Sequence, residues 1–122
     1  MSSGIINSSI IAEIAQHGYD HLESVIRSYL SRSIPTIREL ERLVETSEYE
    51  RLAEEANFLK RIAASMGVTR VHVLSTSIAI QSKSNPLRHE HHQLVQKIRL
   101  LQRQNSRAEE ELLHILSSRR RR

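Results

Sequence analysis

Seven histidines and no cysteine set the chemical inventory of this 122-residue chain. The densest cluster is His89-Glu90-His91-His92. His89 and His92 stand at i and i+3, whereas the zincin spacing His-Glu-x-x-His needs four. Without cysteine to complete a tetrahedral ligand set, no metal site and no cofactor is expected. His72, between Val71 and Val73, is a nucleophile by residue type, but partial burial or plain exposure is expected of it rather than catalysis. His17, His21 and His114 read as helix-end or surface residues, and Glu109-Glu110-Glu111 as a solvated face. No Ser/His/Asp set, phosphate loop or carboxylate pair stands out, so the chain does not read as an enzyme.

A more informative constellation surrounds Asn57. At about 100° per residue on a helix, Leu52, Ala56, Leu59 and Ala63 fall far round from Asn57. Asn57 is therefore expected to face solvent, with Ala53, Lys60, Arg61 and Ala64 on its stripe. The two alanines would leave a shallow surface that a partner helix or loop could approach. Lys60 and Arg61 would put positive charge beside the amide; the plain alternative is that they are ordinary solvated helix residues.

Five helices are predicted to position these residues. Leu, Ile, Ala, Glu, Arg and Gln dominate, with three glycines, two prolines, one phenylalanine and no tryptophan, which favours helix over sheet. The first helix spans about 8–16, capped by Ser8 or Ser9 and stopped at His17-Gly18. The second runs from about Asp20 to Thr46, and Pro35 should kink it or restart it with Ser33 as cap. The third begins at Ser47 as N-cap, with Glu48 and Glu50 in its first turn, and closes at Gly67. The fourth is capped by Thr69, carries Val71, Leu74, Ile78 and also Val73 inward, and ends near Ser82. Lys83-Ser84-Asn85-Pro86 reads as a loop. The fifth, from about Leu87 to Ser117, carries Leu87, Leu94, Val95, Ile98, Leu101, Ala108, Leu112, Ile115 and Leu116 on one stripe. Short connections between long amphipathic helices imply an all-α, up-down antiparallel four-helix bundle with a short extra N-terminal helix. Residues 1–7 are expected to be a flexible N-terminus, 8–117 a single domain, and 118–122 a basic disordered tail.

The net charge of +4 is carried by that tail: Arg119 to Arg122 supply four of 18 basic residues, and the other 14 balance 14 acidic ones. Nucleic acid is therefore not an expected partner of the bundle, although the tail could bind anions or act as a nuclear tag. No run reaches the roughly 20 apolar residues that cross a bilayer. The start, MSSGIINSSIIAEIA, lacks the basic region of a signal peptide. A cytoplasmic monomer is expected, with the tail compatible with the nucleus.

The segment Glu48 to Val68, EYERLAEEANFLKRIAASMGV, resembles the signature helix of histidine phosphotransfer (HPt) domains. That pattern has an acidic-aromatic start, Leu and Ala before the active histidine, Leu and Lys after it, and a Met-Gly type closure. Ala56, Leu59, Lys60 and Gly67 match it without a gap. Tyr29-Leu30 with Ile34-Pro35, and the order and length of the last two helices, are similar less specifically. The resemblance implies an HPt-type bundle over about residues 8–117. It also has departures. Asn57 stands where the histidine belongs, Arg61 replaces a glycine, and Ile62 replaces a small polar residue.

The resemblance therefore implies a pseudo-HPt. A phosphoryl acceptor must be an imidazole nitrogen, and the lone pair of a primary amide is delocalised into its carbonyl. The expected function is an interaction protein that binds receiver domains of response regulators or hybrid histidine kinases through Ala53, Asn57, Lys60, Arg61 and Ala64, competing with active phosphocarriers. Two alternatives stand beside it: an active phosphocarrier using another histidine such as His72, and a helical adaptor or nucleic-acid-associated protein dependent on Arg119 to Arg122.

Overall fold

A computed structural model of the protein describes residues 4–84 and 86–120. The described residues are almost entirely helical: α1 (Ser8–Ala15), α2 (Tyr19–Glu45), α3 (Tyr49–Met66), α4 (Thr69–Lys83) and α5 (Arg88–Arg120). The chain is all-α, as its composition predicts. The four long helices form a ring of contacts in which α2 and α4 each lie against α3 and α5. The backbones of the two diagonal pairs stay apart, and α1 rests on α2 and α3. Leu22, Leu40, Leu59, Ile78, Ile98 and Leu112 lie in the middle with no more than 1 % of their surface exposed.

Both ends of α3 are closed corners. After α2, the Glu48 amide donates to the Leu43 carbonyl at 3.0 Å and the Ser47 amide to the Val44 carbonyl at 3.2 Å. This is a Schellman turn, and it needs a left-handed residue after the cap. Ser47 takes that place, with φ 54°. It therefore ends α2 instead of capping α3; the N-cap position of α3 falls to Glu48. The same pair of bonds closes α3 itself, from Val68 to Ala63 at 2.9 Å and from Gly67 to Ala64 at 3.2 Å. Here the left-handed residue is Gly67, with φ 77°, as its position predicts.

Other local expectations are corrected. The cap of α1 is Asn7, whose Oδ1 accepts from the Ser9 amide at 3.0 Å. Of the two outcomes expected at Pro35 the restart does not occur, because α2 is one helix from Tyr19 to Glu45. An interior proline costs about 3 kcal/mol, but α2 has buried side chains on both sides of it, from Leu22 to Leu30 and from Ile37 to Val44. Burial over so long a stripe outweighs one lost backbone bond. Ser33 is accordingly no cap; it is fully buried within α2. Thr69 is the first residue of α4 and Val68 its N-cap.

The segment before α1 is part of the core. Ile5 and Ile6 are 5 % and 8 % exposed. Ile6 pairs with Val68 in an isolated antiparallel bridge, and the Asn7 amide donates to the Gly67 carbonyl at 2.7 Å. Within the expected flexible N-terminus, residues 4–7 are thus held against the α3–α4 corner, and residues 1–3 lie outside the described residues. At the other end α5 continues through residues 118–120 of the expected tail, with Arg121 and Arg122 outside the described residues. Of the expected loop, Lys83 is the last residue of α4, and Asn85 lies outside the described residues. Val73 and Leu87, both expected inside, are 58 % and 64 % exposed.

One polar group sits inside the α2–α5 seam. The Tyr29 hydroxyl donates to Asn105 Oδ1 at 2.7 Å, and Asn105 Nδ2 donates to Ser33 Oγ at 3.1 Å. All three residues are buried. Burial pushes the Tyr29 phenol above its ordinary value, and the Ser33 hydroxyl pulls weakly the other way. The folded chain therefore keeps Tyr29 neutral at a pH where the unfolded chain ionises it. Stability should fall as pH rises past about 10. Urea melts from about pH 8 to 11 would read this slope, and Tyr29→Phe should flatten it. An unchanged slope in that variant would refute the assignment.

Candidate binding face on α3

The axis of α3 is set by its buried side chains Leu52, Ala56, Leu59, Ala63 and Met66. Arg61 and Ala64 are exposed, and Asn57 and Lys60 are partly exposed. Asn57 thus reaches the surface without standing free in solvent. Ala53 departs from expectation: it is 2 % exposed and offers no surface. The reason is the approach of α4. α3 and α4 share the most extensive interface in the bundle, and the buried residues of the two helices include many small ones, Ala53, Ala56 and Ala63 on α3 with Ser75, Ala79 and Ser82 on α4. Small side chains let helix axes come close. The Ser75 and Ser82 hydroxyls are satisfied within α4, donating to the Val71 and Ile78 carbonyls at 2.7 Å each. The shallow surface predicted on both sides of Asn57 is therefore present only toward Ala64.

His72 fixes the side on which α4 lies. Its Nδ1 is 3.3 Å from the Lys60 carbonyl oxygen. A carbonyl can only accept, so Nδ1 carries the proton, and Nε2 of the neutral ring carries the lone pair. Thr76 is one turn further along α4, and Asn57 is about one turn back along α3. In antiparallel helices this sets Thr76 and Asn57 at one level. Asn57, Lys60, His72 and Thr76 thus border a single seam.

The polar groups of the α3 face are uncommitted, as are those of several other surface residues. Elsewhere on the surface Arg27 pairs with Glu23, and Arg42 and Arg51 both bridge Glu39 and Glu48. The hydrogen bond from Arg42 holds the Glu39 carboxyl below its ordinary range. Among the described residues, the Asn57 carboxamide, the Lys60 ammonium and the Arg61 guanidinium take part in no such bond. Glu50 and Glu54, on the N-terminal half of the helix, are exposed and equally free of ion pairs. The face therefore runs from acidic to basic along α3, with the amide at the change of sign.

The histidine cluster at the start of α5 is engaged otherwise. His91 Nδ1 lies 2.6 Å from the Tyr49 hydroxyl, and its ring meets those of Tyr49 and His92 edge-on at 5.9 and 6.1 Å. His17 and His21 meet in the same way at 5.3 Å. Among the described residues no three histidine or carboxylate groups gather as metal ligands, and no helix is long and apolar enough to cross a membrane.

Two features were missed by sequence reasoning. Asn105 lies on the apolar stripe of α5, between Leu101 and Ala108 at intervals of four and three. A polar residue at a core position was the available signal. The second is a groove between α2 and α5, which depends on two distant segments and leaves no local pattern. Comparison with protein-family models, with curated proteins and with solved structures finds no match for this chain.

Proposed function

We propose that this chain is a pseudo-HPt protein: a four-helix bundle of the HPt type, with α1 added, that binds receiver domains of a two-component phosphorelay and carries no phosphoryl group itself. The observation that supports the reading is the uncommitted trio Asn57, Lys60 and Arg61 on the surface of α3, with Ala64 beside it. An acidic receiver pocket would find two cations there and no nucleophile at the centre. Attraction between the charges would survive the loss of transfer chemistry. Such a protein would occupy receivers, compete with active carriers and damp phosphate flow, and it would work in the cytoplasm.

Calorimetric titration with receiver domains tests this. Binding is expected, with Lys60→Glu and Arg61→Glu each weakening it about tenfold, and Ala53→Ser changing it little. Failure of every receiver from the source organism to bind would sink the proposal.

A second reading is favoured by one observation. His72, with its proton held on Nδ1 by the Lys60 carbonyl, keeps Nε2 as a nucleophile beside Lys60. It would make the chain an active carrier. Incubation with a phosphorylated receiver separates the two: acid-labile, base-stable label that disappears in His72→Ala would favour the carrier and overturn the inactive module.

A further inference from the structure

The groove between α2 and α5 lies across the ring from the α3 face. It encloses about 830 Å³. Along its floor Ile34 and Val95 are partly exposed above the buried Ile37 and Ile98, with Gln102 and Ser106 beside them. Its rims carry Arg38, Arg99 and Arg103 with Glu41, Glu45 and Glu109. None of these six takes part in a salt bridge among the described residues. The groove thus offers two partly exposed aliphatic side chains, Ile34 and Val95, between rims of charge that no salt bridge neutralises.

The order of the charges says what that partner is. The hydrogen bonds from Asn105 to Tyr29 and Ser33 fix the level of α5 against α2. Counting along the antiparallel pair, Arg38 and Arg99 stand at one level and Arg103 one turn beyond. Glu41 and Glu45 lie toward one end and Glu109 toward the other. The groove is therefore basic at its middle and acidic at its ends. From Val95 to Glu109 it is about 21 Å long, four turns of helix.

We infer that the α2–α5 groove is a docking surface for one amphipathic helix of a partner protein, with an apolar stripe, acidic side chains at its middle and basic ones at its ends. The stripe covers Ile34 and Val95, and the central acids meet the three arginines. A second copy of this chain is a poor occupant, because a two-fold axis through the middle sets arginines against arginines. A uniformly anionic strand is repelled by the glutamates at both ends.

The test uses two labelled helical peptides of about 14 residues with one apolar stripe, one carrying Glu at the centre and Lys at the ends, the other with the charges inverted. Fluorescence anisotropy should show the first binding at least about tenfold tighter, with affinity falling as salt rises. The variant R38E/R99E/R103E, acidic from end to end, should abolish the preference. These side chains are exposed, and an unchanged circular dichroism melt would show that the fold is intact. Equal affinity, a preference for the inverted peptide, or binding by neither overturns the inference. So does a free chain that sediments as a dimer and becomes a monomer on Ile34→Glu, or tighter binding by a single-stranded oligonucleotide. The substituted arginines are remote from α3, so receiver binding and helix binding succeed or fail separately.

Discussion

Asn105→Ala is expected to destabilise the fold by about 2–4 kcal/mol, read as a shift of the urea midpoint at constant slope. The substitution removes the acceptor of the Tyr29 hydroxyl and the donor to Ser33. Both hydroxyls stay in the seam away from water. A buried polar group left without a partner costs about 1–3 kcal/mol, and the vacated volume adds to it. The loss should not be additive. Tyr29→Phe, Ser33→Ala and Asn105→Leu together remove every polar atom of the set and refill the space. Replacing all partners by apolar groups is near neutral or stabilising, so the triple variant should recover most of what the single one loses. A triple variant at least as unstable as Asn105→Ala would show that the network is not the source of the effect.

Gly67→Val should cost about 2–5 kcal/mol by the same measurement. Two effects combine. The backbone at Gly67 has φ 77°, and a Cβ there would lie 3.0 Å from Ile10 Cβ and 3.3 Å from the Asn7 carbonyl oxygen. Left-handed backbone costs an ordinary residue about 1–2 kcal/mol, more when it is β-branched. The crowding adds an overpacking penalty, because Asn7 is itself held by its bond to the Gly67 carbonyl. The other corner of α3 supplies the opposite sign. Ser47 already bears the left-handed strain with φ 54°, so Ser47→Gly should stabilise by about 0.5–1 kcal/mol. Equal effects at the two corners would contradict this account.

The helices were legible because apolar spacing and glycine stops are local signals. Each expected helix is present, with ends displaced by only a few residues. Misreadings arose where distant segments decide. Ile5 and Ile6 look like part of a loose start until Val68 is seen beside them. Ser33-Ile34-Pro35 looks like a restart of the helix until burial on both sides of it is counted. Ser47 has the residue type of an N-cap, and only the Leu43–Glu48 bond reveals it as the end of α2. On the candidate face, Lys60, Arg61 and Ala64 follow from helical phase alone. Ala53 and the partial burial of Asn57 do not, since the direction from which α4 approaches is not encoded in α3. Asn105 was legible in principle: it occupies a core position of a regular stripe and needed only the question of what would satisfy it.

The ring of contacts also bears on how the molecule assembles. Three of its four sides join helices that follow one another along the chain, and only α2 with α5 joins distant segments. Such a topology has low contact order, and the entropy of closing a long loop falls on that one side. The neighbouring hairpins should therefore collapse first and quickly. The seam containing Asn105 should zip last, which makes it the natural place for the folded molecule to open.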